Sequence, residues 1–176
     1  MTLKLKRTPG LYLVGFMASG KSTIGRAVAD EIGWPFVDID LEIEARAGKR
    51  ITDIFSEVGE SAFREIETSV IRSHVHHIEA GQPRVMALGG GAFIQERNWQ
   101  MIANNGITVW LDCPLEIVRR RLGDDNSRPL AANRNGLGQL FEDRRPLYAR
   151  ADYRVDVDTD HVHEIVKRVL ALPLFK

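Results

Sequence analysis

The sequence of 176 residues contains a single cysteine, Cys113. One cysteine can form neither an internal disulfide framework nor a metal site made of thiolates. The chain also lacks any apolar stretch near the roughly 20 residues that a membrane-spanning helix requires. Its basic N-terminal segment, residues 1–10, has no apolar block of the kind found in secretory signals. These absences predict a cytoplasmic protein.

The sequence also lacks net charge, since 24 Lys and Arg residues balance 24 Asp and Glu residues. Without an excess of positive charge, the chain is not expected to bind nucleic acid or membrane surfaces in general. A length of 176 residues allows one domain with a sizeable core and is short for two. We therefore expect a single domain spanning residues 1–176.

Short apolar segments alternate with segments of helical periodicity along the chain. This alternation predicts a parallel sheet with helices on both faces, and ligands in such sheets bind beyond the carboxyl ends of the strands. The predicted strands are residues 11–15, 35–40, 84–88, 107–111 and 153–157. The predicted helices are residues 21–32, 41–47, 51–58, 61–80, 94–104, 114–122, 138–151 and 161–172.

The segment GFMASGKST, residues 15–23, fits the motif G-x-x-x-x-G-K-[ST] and lies between a predicted strand and a predicted helix. In that context the glycines let backbone N–H groups turn towards phosphate oxygens, and the helix N-terminus adds a favourable field. Lys21 is expected to reach the β- and γ-phosphates, and Ser22 to bind Mg²⁺. The alternative is a chance match at a glycine turn. The residues predicted to bind nucleotide here are Gly15, Ala18, Ser19, Gly20, Lys21, Ser22 and Thr23.

This motif predicts nucleoside triphosphate binding without saying what the nucleotide is used for. A GTPase switch would usually carry an N-K-x-D guanine-binding loop, which the sequence lacks, and the chain is short for a motor. The favoured class is therefore a kinase for a small molecule, whose acceptor site must lie in the rest of the sequence.

The segment VDID places Asp38 and Asp40 at the end of the second predicted strand. Because side chains alternate along a strand, both carboxylates are expected to point to one side of the sheet. One can then help to hold Mg²⁺ while the other accepts a proton or a hydrogen bond from a substrate hydroxyl. The alternative is that Asp40 alone caps the helix that starts at Leu41.

The segment ITDIFSEVGESAFREIE combines apolar and charged positions. Ile51 and Phe55 share a helix face, and Phe63 can join them in an apolar wall. Arg64 and Glu67 lie three residues apart on the next predicted helix, so the carboxylate can hold the guanidinium. A wall beside such an arginine suits an acid that carries a ring. The alternative, which periodicity alone would favour, is a core-facing stripe with an ion pair on the surface.

Two arginine-containing segments follow the fourth predicted strand. Arg128 lies in a polar loop that is longer than most connections, and residues 123–135 are expected to form a mobile lid. An arginine on such a lid can close over the triphosphate and neutralise the charge that develops during transfer. In the segment DRRPLYARAD, Arg144 or Arg145 can point inward as a second anion clamp.

Three consecutive glycines, residues 89–91, end the third predicted strand in the segment VMALGGGAF. The pattern is typical of a phosphate loop, but the donor phosphates are already assigned to residues 15–23. We expect the glycines to remove side chains where the acceptor lies close to the backbone, with Gly90 N–H facing the substrate. The alternative, a flexible turn, would need only one glycine.

Two other features are expected to be structural. Asp112 ends a segment that resembles a magnesium-binding strand, but it precedes a helix beginning at Pro114 and is expected to cap that helix. His74, His76 and His77 lie near the end of a predicted helix, where favourable charge and solvent exposure outweigh a metal site as an explanation.

Taken in order, the motifs GFMASGKST, FVDID, DIFSEVGESAFREIE, ALGGGAF, NSRPL and RRPLY resemble those of shikimate kinase. The resemblance extends from about Leu11 to the last strand. It implies an enzyme that uses ATP and Mg²⁺ to phosphorylate the 3-hydroxyl of shikimate, in aromatic amino-acid biosynthesis. It also implies a monomer with the three-layer α/β P-loop kinase fold, whose five-stranded parallel sheet has the order 2-3-1-4-5.

The resemblance further implies roles for individual residues. Asp38 assists Ser22 at Mg²⁺, and Asp40 binds the shikimate hydroxyls as the candidate base. Lys21 and the lid residue Arg128 complete the catalytic set. The position flanking the adenine is Arg121. The residues implied to bind shikimate are Asp40, Arg64, Glu67, Gly89, Gly90, Gly91, Arg144, Ile51, Phe55 and Phe63, largely on or near helices over residues 41–68.

The sequence departs from the family pattern at three places. Ala18 stands where many members have glycine, which narrows the freedom of the phosphate loop, and Ile39 stands between the two aspartates where a polar residue is frequent. The segment DTDHVHE after the last strand offers no arginine for the adenine, so the adenine contacts there are open. The match to RRPLY favours Arg144, two residues before Pro146, over Arg145.

Two rival functions stay open from the sequence. A P-loop kinase for another small acceptor, such as gluconate or a nucleoside monophosphate, would share the donor site. A nucleotide acceptor, however, would need phosphate-binding arginines and a base pocket in place of an apolar wall. A non-catalytic module that only binds ATP would not need the two aspartates together with Arg64 and Arg128.

Overall fold

A computed structural model of the protein describes residues 10–123 and 136–175. Its centre is a five-stranded sheet in the order β2-β3-β1-β4-β5, in which every neighbouring pair is parallel. The predicted α/β class and the predicted strand order are therefore confirmed. The strands are β1 Gly10–Val14, β2 Phe36–Asp38, β3 Val85–Ala87, β4 Gly106–Asp112 and β5 Tyr153–Asp156.

Helices connect the strands and flank the sheet. Parallel neighbours require crossover connections, which explains why a helical segment separates each pair of consecutive strands. Helix α1 packs against α7, and α3 packs against both α2 and α4. The helices are α1 Lys21–Ile32, α2 Ile39–Ala47, α3 Ile51–Glu79, α4 Glu96–Asn105, α5 Leu115–Leu122, α6 Leu137–Tyr148 and α7 Val162–Leu170, and a short 3₁₀ turn follows at Pro173–Phe175.

The core lies between the central strands and the helices. Tyr12, Leu13 and Val109 are fully shielded from solvent, as expected for central strands of a parallel sheet covered on both faces. Within residues 10–123 and 136–175, no helix is long and apolar enough to cross a membrane.

Two helical segments meet at Gly59 within α3, as the sequence predicts. The chain has no loop between them, and Gly59 alone departs from helical geometry with φ 78° and ψ 172°. Glycine adopts a positive φ with little strain, so the chain can change direction there without a loop. The boundary was expected at the right residue, but the structure has a kink in place of a connection.

The end of β2 differs from the prediction in a way that affects the site. The strand ends at Asp38 and α2 begins at Ile39, so Asp40 lies in the first helical turn and not on the strand. The prediction that strand alternation aligns the two carboxylates is therefore wrong. The suggested helix cap at Asp40 is also wrong, because Asp38 accepts the hydrogen bond from Leu41 N–H at 3.2 Å.

Candidate active site

The phosphate-loop segment connects β1 to α1 at the carboxyl edge of the sheet. Gly15 has φ 143°, and a Cβ atom there would lie 2.7 Å from the backbone oxygen of Leu111, so only glycine fits. Ala18 has φ 58°, the one positive value found for a non-glycine residue in the described part of the chain. This left-handed conformation costs an alanine about 1–2 kcal/mol, a cost that a glycine at position 18 would not carry.

Lys21 is buried at the start of α1 and its ammonium group lies across the loop. It donates to the backbone oxygens of Gly15 at 3.0 Å and Phe16 at 2.7 Å. The side chain also approaches Ser19 Oγ at 3.5 Å. The positive charge is therefore held at the turn where a phosphate group is expected to bind.

Ser22 and Asp38 bring two oxygen ligands together beside this loop. The Ser22 hydroxyl donates a short hydrogen bond to Asp38 Oδ2, while Asp38 Oδ1 caps α2. The part of the chain that the structure describes contains no cluster of three or more metal-ligating His, Cys, Asp or Glu side chains. One hydroxyl and one carboxylate nevertheless fit Mg²⁺, since this ion is usually held by one or two carboxylates, phosphates and water.

A cleft of about 360 Å³ runs from this loop towards the end of β5. Arg121 lines this cleft and connects the loop to the segment after β5, since its guanidinium donates to Ala18 O at 3.0 Å and to Asp160 Oδ1 at 2.9 Å. Thr159, Asp160 and Val162 also line the cleft, and sequence reasoning left this segment unassigned. The one signal that marks it is its position after the last strand, at the edge where ligands bind.

A second cleft of about 250 Å³ adjoins the first and is built around the acceptor residues that the sequence predicts. Asp40 lines both clefts, and within residues 10–123 and 136–175 it is the one residue that they share. The second cleft is also lined by Met17, Leu41, Glu44 and Arg50, which sequence reasoning missed. The predicted residues that line it are Asp40, Ile51, Phe55, Phe63, Arg64, Glu67, Gly89, Gly90, Gly91 and Arg144.

An apolar wall forms one side of the second cleft. The rings of Phe55 and Phe63 are tilted against each other with centroids 4.4 Å apart. Ile51 begins α3 beside them, and its N–H donates to Glu44 Oε1 at 2.9 Å, which ties α3 to α2. The predicted grouping of these three apolar side chains is therefore present at the cleft.

Arg64 and Glu67 face this wall as a buried pair. Arg64 Nη1 donates to Glu67 Oε2 at 2.9 Å, and Glu67 is only 1% exposed. The alternative of an ion pair on the surface is therefore wrong. Burial raises the pKa of Glu67 to about 7, with the charge of Asp40 adding to the rise and Arg64 opposing it.

Arg144 and Arg145 are neighbours on α6 but contact different parts of the protein. Arg144 is 6% exposed and lines the second cleft, whereas Arg145 donates to Asp112 Oδ2 at 2.7 Å and lies over the ring of Trp110. Asp112 also pairs with Arg154 at 3.0 Å. The expected helix-capping role of Asp112 is wrong, since it holds arginines of α6 and β5.

The glycine loop after β3 closes the second cleft, and its three positions meet different neighbours. A Cβ atom at Gly89 would lie 2.6 Å from Asp40 Oδ1, and one at Gly91 would overlap the guanidinium of Arg64. A Cβ atom at Gly90 would meet nothing closer than 3.5 Å. Gly89 and Gly91 therefore make room for polar side chains of the chain itself, which the sequence did not indicate.

The remaining expectations concern the lid and the three histidines. Arg128 and all of the predicted lid except Gly123 lie outside the described residues, so the lid stays a prediction. His74 is buried and accepts a hydrogen bond from Arg84 Nη1 at 2.8 Å, and burial lowers its pKa. The expected solvent exposure is therefore wrong for His74, while His76 and His77 are exposed.

Comparison with known proteins adds evidence independent of this geometry. The profile of the shikimate kinase family matches residues 17–172. The chain is 43% identical over 161 residues to a shikimate kinase of Persephonella marina, which covers 91% of this chain and 96% of that protein. It is also similar to the structure of shikimate kinase from Acinetobacter baumannii in complex with shikimate, with 35% identity, a TM-score of 0.88, and coverage of 96% and 94%.

A more distant structural likeness involves a gluconokinase. The structure of a gluconokinase from Sinorhizobium meliloti 1021 covers 94% of this chain and is itself covered to 91%, with a TM-score of 0.56 and 18% identity. At that identity the likeness shows a shared fold and says nothing about the acceptor.

Proposed function

The chain belongs to the shikimate kinase family, and from this premise we propose how its residues transfer the γ-phosphoryl group of ATP to the 3-hydroxyl of shikimate. The observation that carries the proposal is that Asp40 lines both clefts. A carboxylate at the junction of a donor site and an acceptor site is where the attacking hydroxyl must meet the phosphoryl group. Asp40 then orients that hydroxyl and accepts its proton.

The first cleft binds ATP in this proposal. Backbone N–H groups of residues 15–23 and the N-terminus of α1 hold the phosphates, and Lys21 neutralises the charge on them. Ser22 and Asp38 would hold Mg²⁺, which would supply positive charge to offset the charge that develops during transfer. Arg121 flanks the adenine, supported by its position in the cleft and its contacts with Asp160.

The second cleft binds shikimate. Arg64 and Arg144 take its carboxylate, because guanidinium groups bind carboxylates through two parallel hydrogen bonds. The Nε atoms of both arginines are buried and without a partner among the described residues, so both side chains retain capacity to donate. The wall at Phe55 and Phe63 packs against the ring. Phosphoryl transfer needs mainly alignment and charge neutralisation, and these groups supply both.

We further propose a single-domain, monomeric enzyme in the cytoplasm without a nucleic-acid or membrane partner, in which Arg128 on a lid over residues 123–135 closes over ATP. The balanced charge of the chain supports the absence of such partners, and the motif NSRPL supports the role of Arg128. Light scattering of the purified protein tests the monomer, since a dimer would double the measured mass.

The acceptor is tested by an assay that couples ADP release to a detectable reaction. Shikimate, quinate, gluconate and the common nucleoside monophosphates are compared at equal concentration with ATP and Mg²⁺. We expect turnover with shikimate. ADP release with another acceptor and none with shikimate would refute the assignment, and ATP binding without turnover on any acceptor would favour a non-catalytic module.

A further inference from the structure

Tyr148, the last residue of α6, forms a contact with the glycine loop that the proposed mechanism does not use. The side chain is 1% exposed, and its hydroxyl donates to the backbone oxygen of Gly90 at 2.5 Å. Burial raises the pKa of Tyr148 to about 12, so the hydroxyl keeps its proton at neutral pH. Gly90 lies 58 positions earlier in the sequence, so this bond ties α6 to the glycine loop of the second cleft.

The hydrogen bonds of the loop control the orientation of two successive peptide groups. Gly89 O accepts from Ala92 N–H at 3.0 Å, and Gly90 O accepts from Tyr148. In a trans peptide the N–H group points away from the C=O group of the preceding residue, and no described peptide bond is cis. Ala92 therefore sets the direction of Gly90 N–H, and Tyr148 sets the direction of Gly91 N–H.

These two N–H groups remain available to a ligand. Within residues 10–123 and 136–175, neither Gly90 N–H nor Gly91 N–H donates to another group of the chain, and both glycines line the acceptor cleft. Three consecutive glycines have the greatest backbone freedom, so a fixed orientation needs a constraint from outside the loop. The hydroxyl of Tyr148 supplies such a constraint.

The same hydroxyl lies beside the arginine of the clamp. Arg144 precedes Tyr148 by one helical turn, so both side chains project from the same face of α6. A Cβ atom at Gly90 would be 3.6 Å from both Arg144 Nη1 and the Tyr148 oxygen. The guanidinium of Arg144 and the hydroxyl of Tyr148 thus both lie next to Gly90.

We propose that Tyr148 is a positioning residue whose hydroxyl fixes the peptide between Gly90 and Gly91, and with it the placement of Arg144, for the carboxylate of the acceptor. This inference rests on the proposed function of the second cleft. It assigns the hydroxyl an effect on acceptor binding and none on ATP binding.

The test is Tyr148→Phe, which removes one oxygen atom and keeps the ring. Helix α6 stays anchored in this variant by the bond from Arg145 to Asp112 and by the contact between Phe141 and Phe16, whose ring centroids are 5.2 Å apart. Steady-state KM values for shikimate and ATP, a calorimetric titration with shikimate, and thermal unfolding are measured on the full chain.

The matched control is Tyr12→Phe. Tyr12 is also fully buried, but its hydroxyl has no hydrogen-bond partner among the described residues. Its ring packs near Gly10 and Gly106, where β1 and β4 begin, and both clefts lie at the other edge of the sheet. Removing this hydroxyl therefore tests the loss of a buried tyrosine oxygen away from the site.

We expect Tyr148→Phe to raise the shikimate KM and Kd about three- to tenfold, with the ATP KM changed by less than about twofold. Tyr12→Phe is expected to leave all three values near those of the wild type. Unchanged shikimate binding in Tyr148→Phe overturns the inference, and so does a parallel rise of both KM values with early unfolding, which would mark a structural role. A wild-type protein that fails to turn over shikimate refutes the proposed function itself, and the inference with it.

Discussion

Arg64 donates a hydrogen bond of 2.9 Å to Glu67 inside the second cleft, and both side chains are shielded from solvent. Removing two charges from water is costly, and a buried ion pair seldom stabilises a fold more than apolar residues of the same size would. The pair is better explained as a device that holds a guanidinium in place for an anionic ligand. Two predictions follow from this relationship.

Replacing Arg64 separates acceptor binding from donor binding. Arg64→Ala removes the proposed carboxylate clamp and leaves the phosphate loop untouched, so the shikimate KM should rise about 30-fold or more while the ATP KM changes by less than about twofold. Arg46→Ala is the matched control, because Arg46 is an exposed arginine of α2 that pairs with Glu42. Equal losses of shikimate and ATP affinity in Arg64→Ala would contradict the clamp.

The pH dependence of stability should reveal the buried carboxyl of Glu67. Its pKa is raised from 4.5 to about 7, so the folded protein holds this proton more tightly than the unfolded chain does. The resulting stabilisation is fully present below pH 4.5 and is lost as the pH rises through 7, with a magnitude on the order of 3 kcal/mol. Glu67→Gln carries no ionisable group at this position and lacks this loss.

Thermal unfolding of ligand-free wild type and Glu67→Gln between pH 4.5 and 8 measures the effect. The difference in Tm, variant minus wild type, should increase as the pH rises across this window. A difference that stays constant with pH, or that moves in favour of the wild type, would show that Glu67 titrates normally.

The glycine loop offers two alanine variants with different expected effects. Gly90→Ala places its Cβ atom 3.5 Å from the nearest atom, so the chain should fold with little loss of stability, and any rise in the shikimate KM reports how closely the ligand approaches the loop. Gly91→Ala must displace the guanidinium of Arg64 and should raise the shikimate KM further. Both should keep the ATP KM. Wild-type shikimate affinity in Gly90→Ala would show that the substrate does not approach this residue.

Asp38 caps α2 and is proposed to bind Mg²⁺, and a pair of substitutions can separate these two roles. Asp38→Asn keeps an acceptor for Leu41 N–H but removes the charge, so the Mg²⁺ concentration for half-maximal activity should rise about 10- to 100-fold with little change in stability. Asp38→Ala should add a loss of about 1 kcal/mol in the free energy of unfolding, since the cap is lost too. An unchanged Mg²⁺ requirement in Asp38→Asn would remove Asp38 from the metal site.

Several elements could be predicted because their signals are local. The strand, glycine turn and helix of residues 10–32 occupy one continuous segment, and the periods of about two and 3.6 residues are visible along any short stretch. The kink at Gly59 was also marked by the glycine itself. Strand order 2-3-1-4-5 came from the resemblance of ordered motifs and not from periodicity.

The errors of sequence reasoning have two origins. Strand alternation failed at Asp40 because the first turn of α2 begins directly after Asp38. The role of Asp112 depends on a distant part of the chain, since it binds arginines 33 and 42 positions away. A surface pair at Arg64 and Glu67 was the favoured pattern from spacing alone. Spacing does not show which elements cover a helix face.

By itself, the sequence determined the phosphate-loop motif and the class of fold, since these depend on the order of residues within short segments. Only the tertiary structure decided that Asp40 joins the two clefts, that Arg144 lines the second cleft while Arg145 binds Asp112, and that Tyr148 holds Gly90. Burial and side-chain direction arise from contacts between residues far apart in the chain, and no local pattern records them.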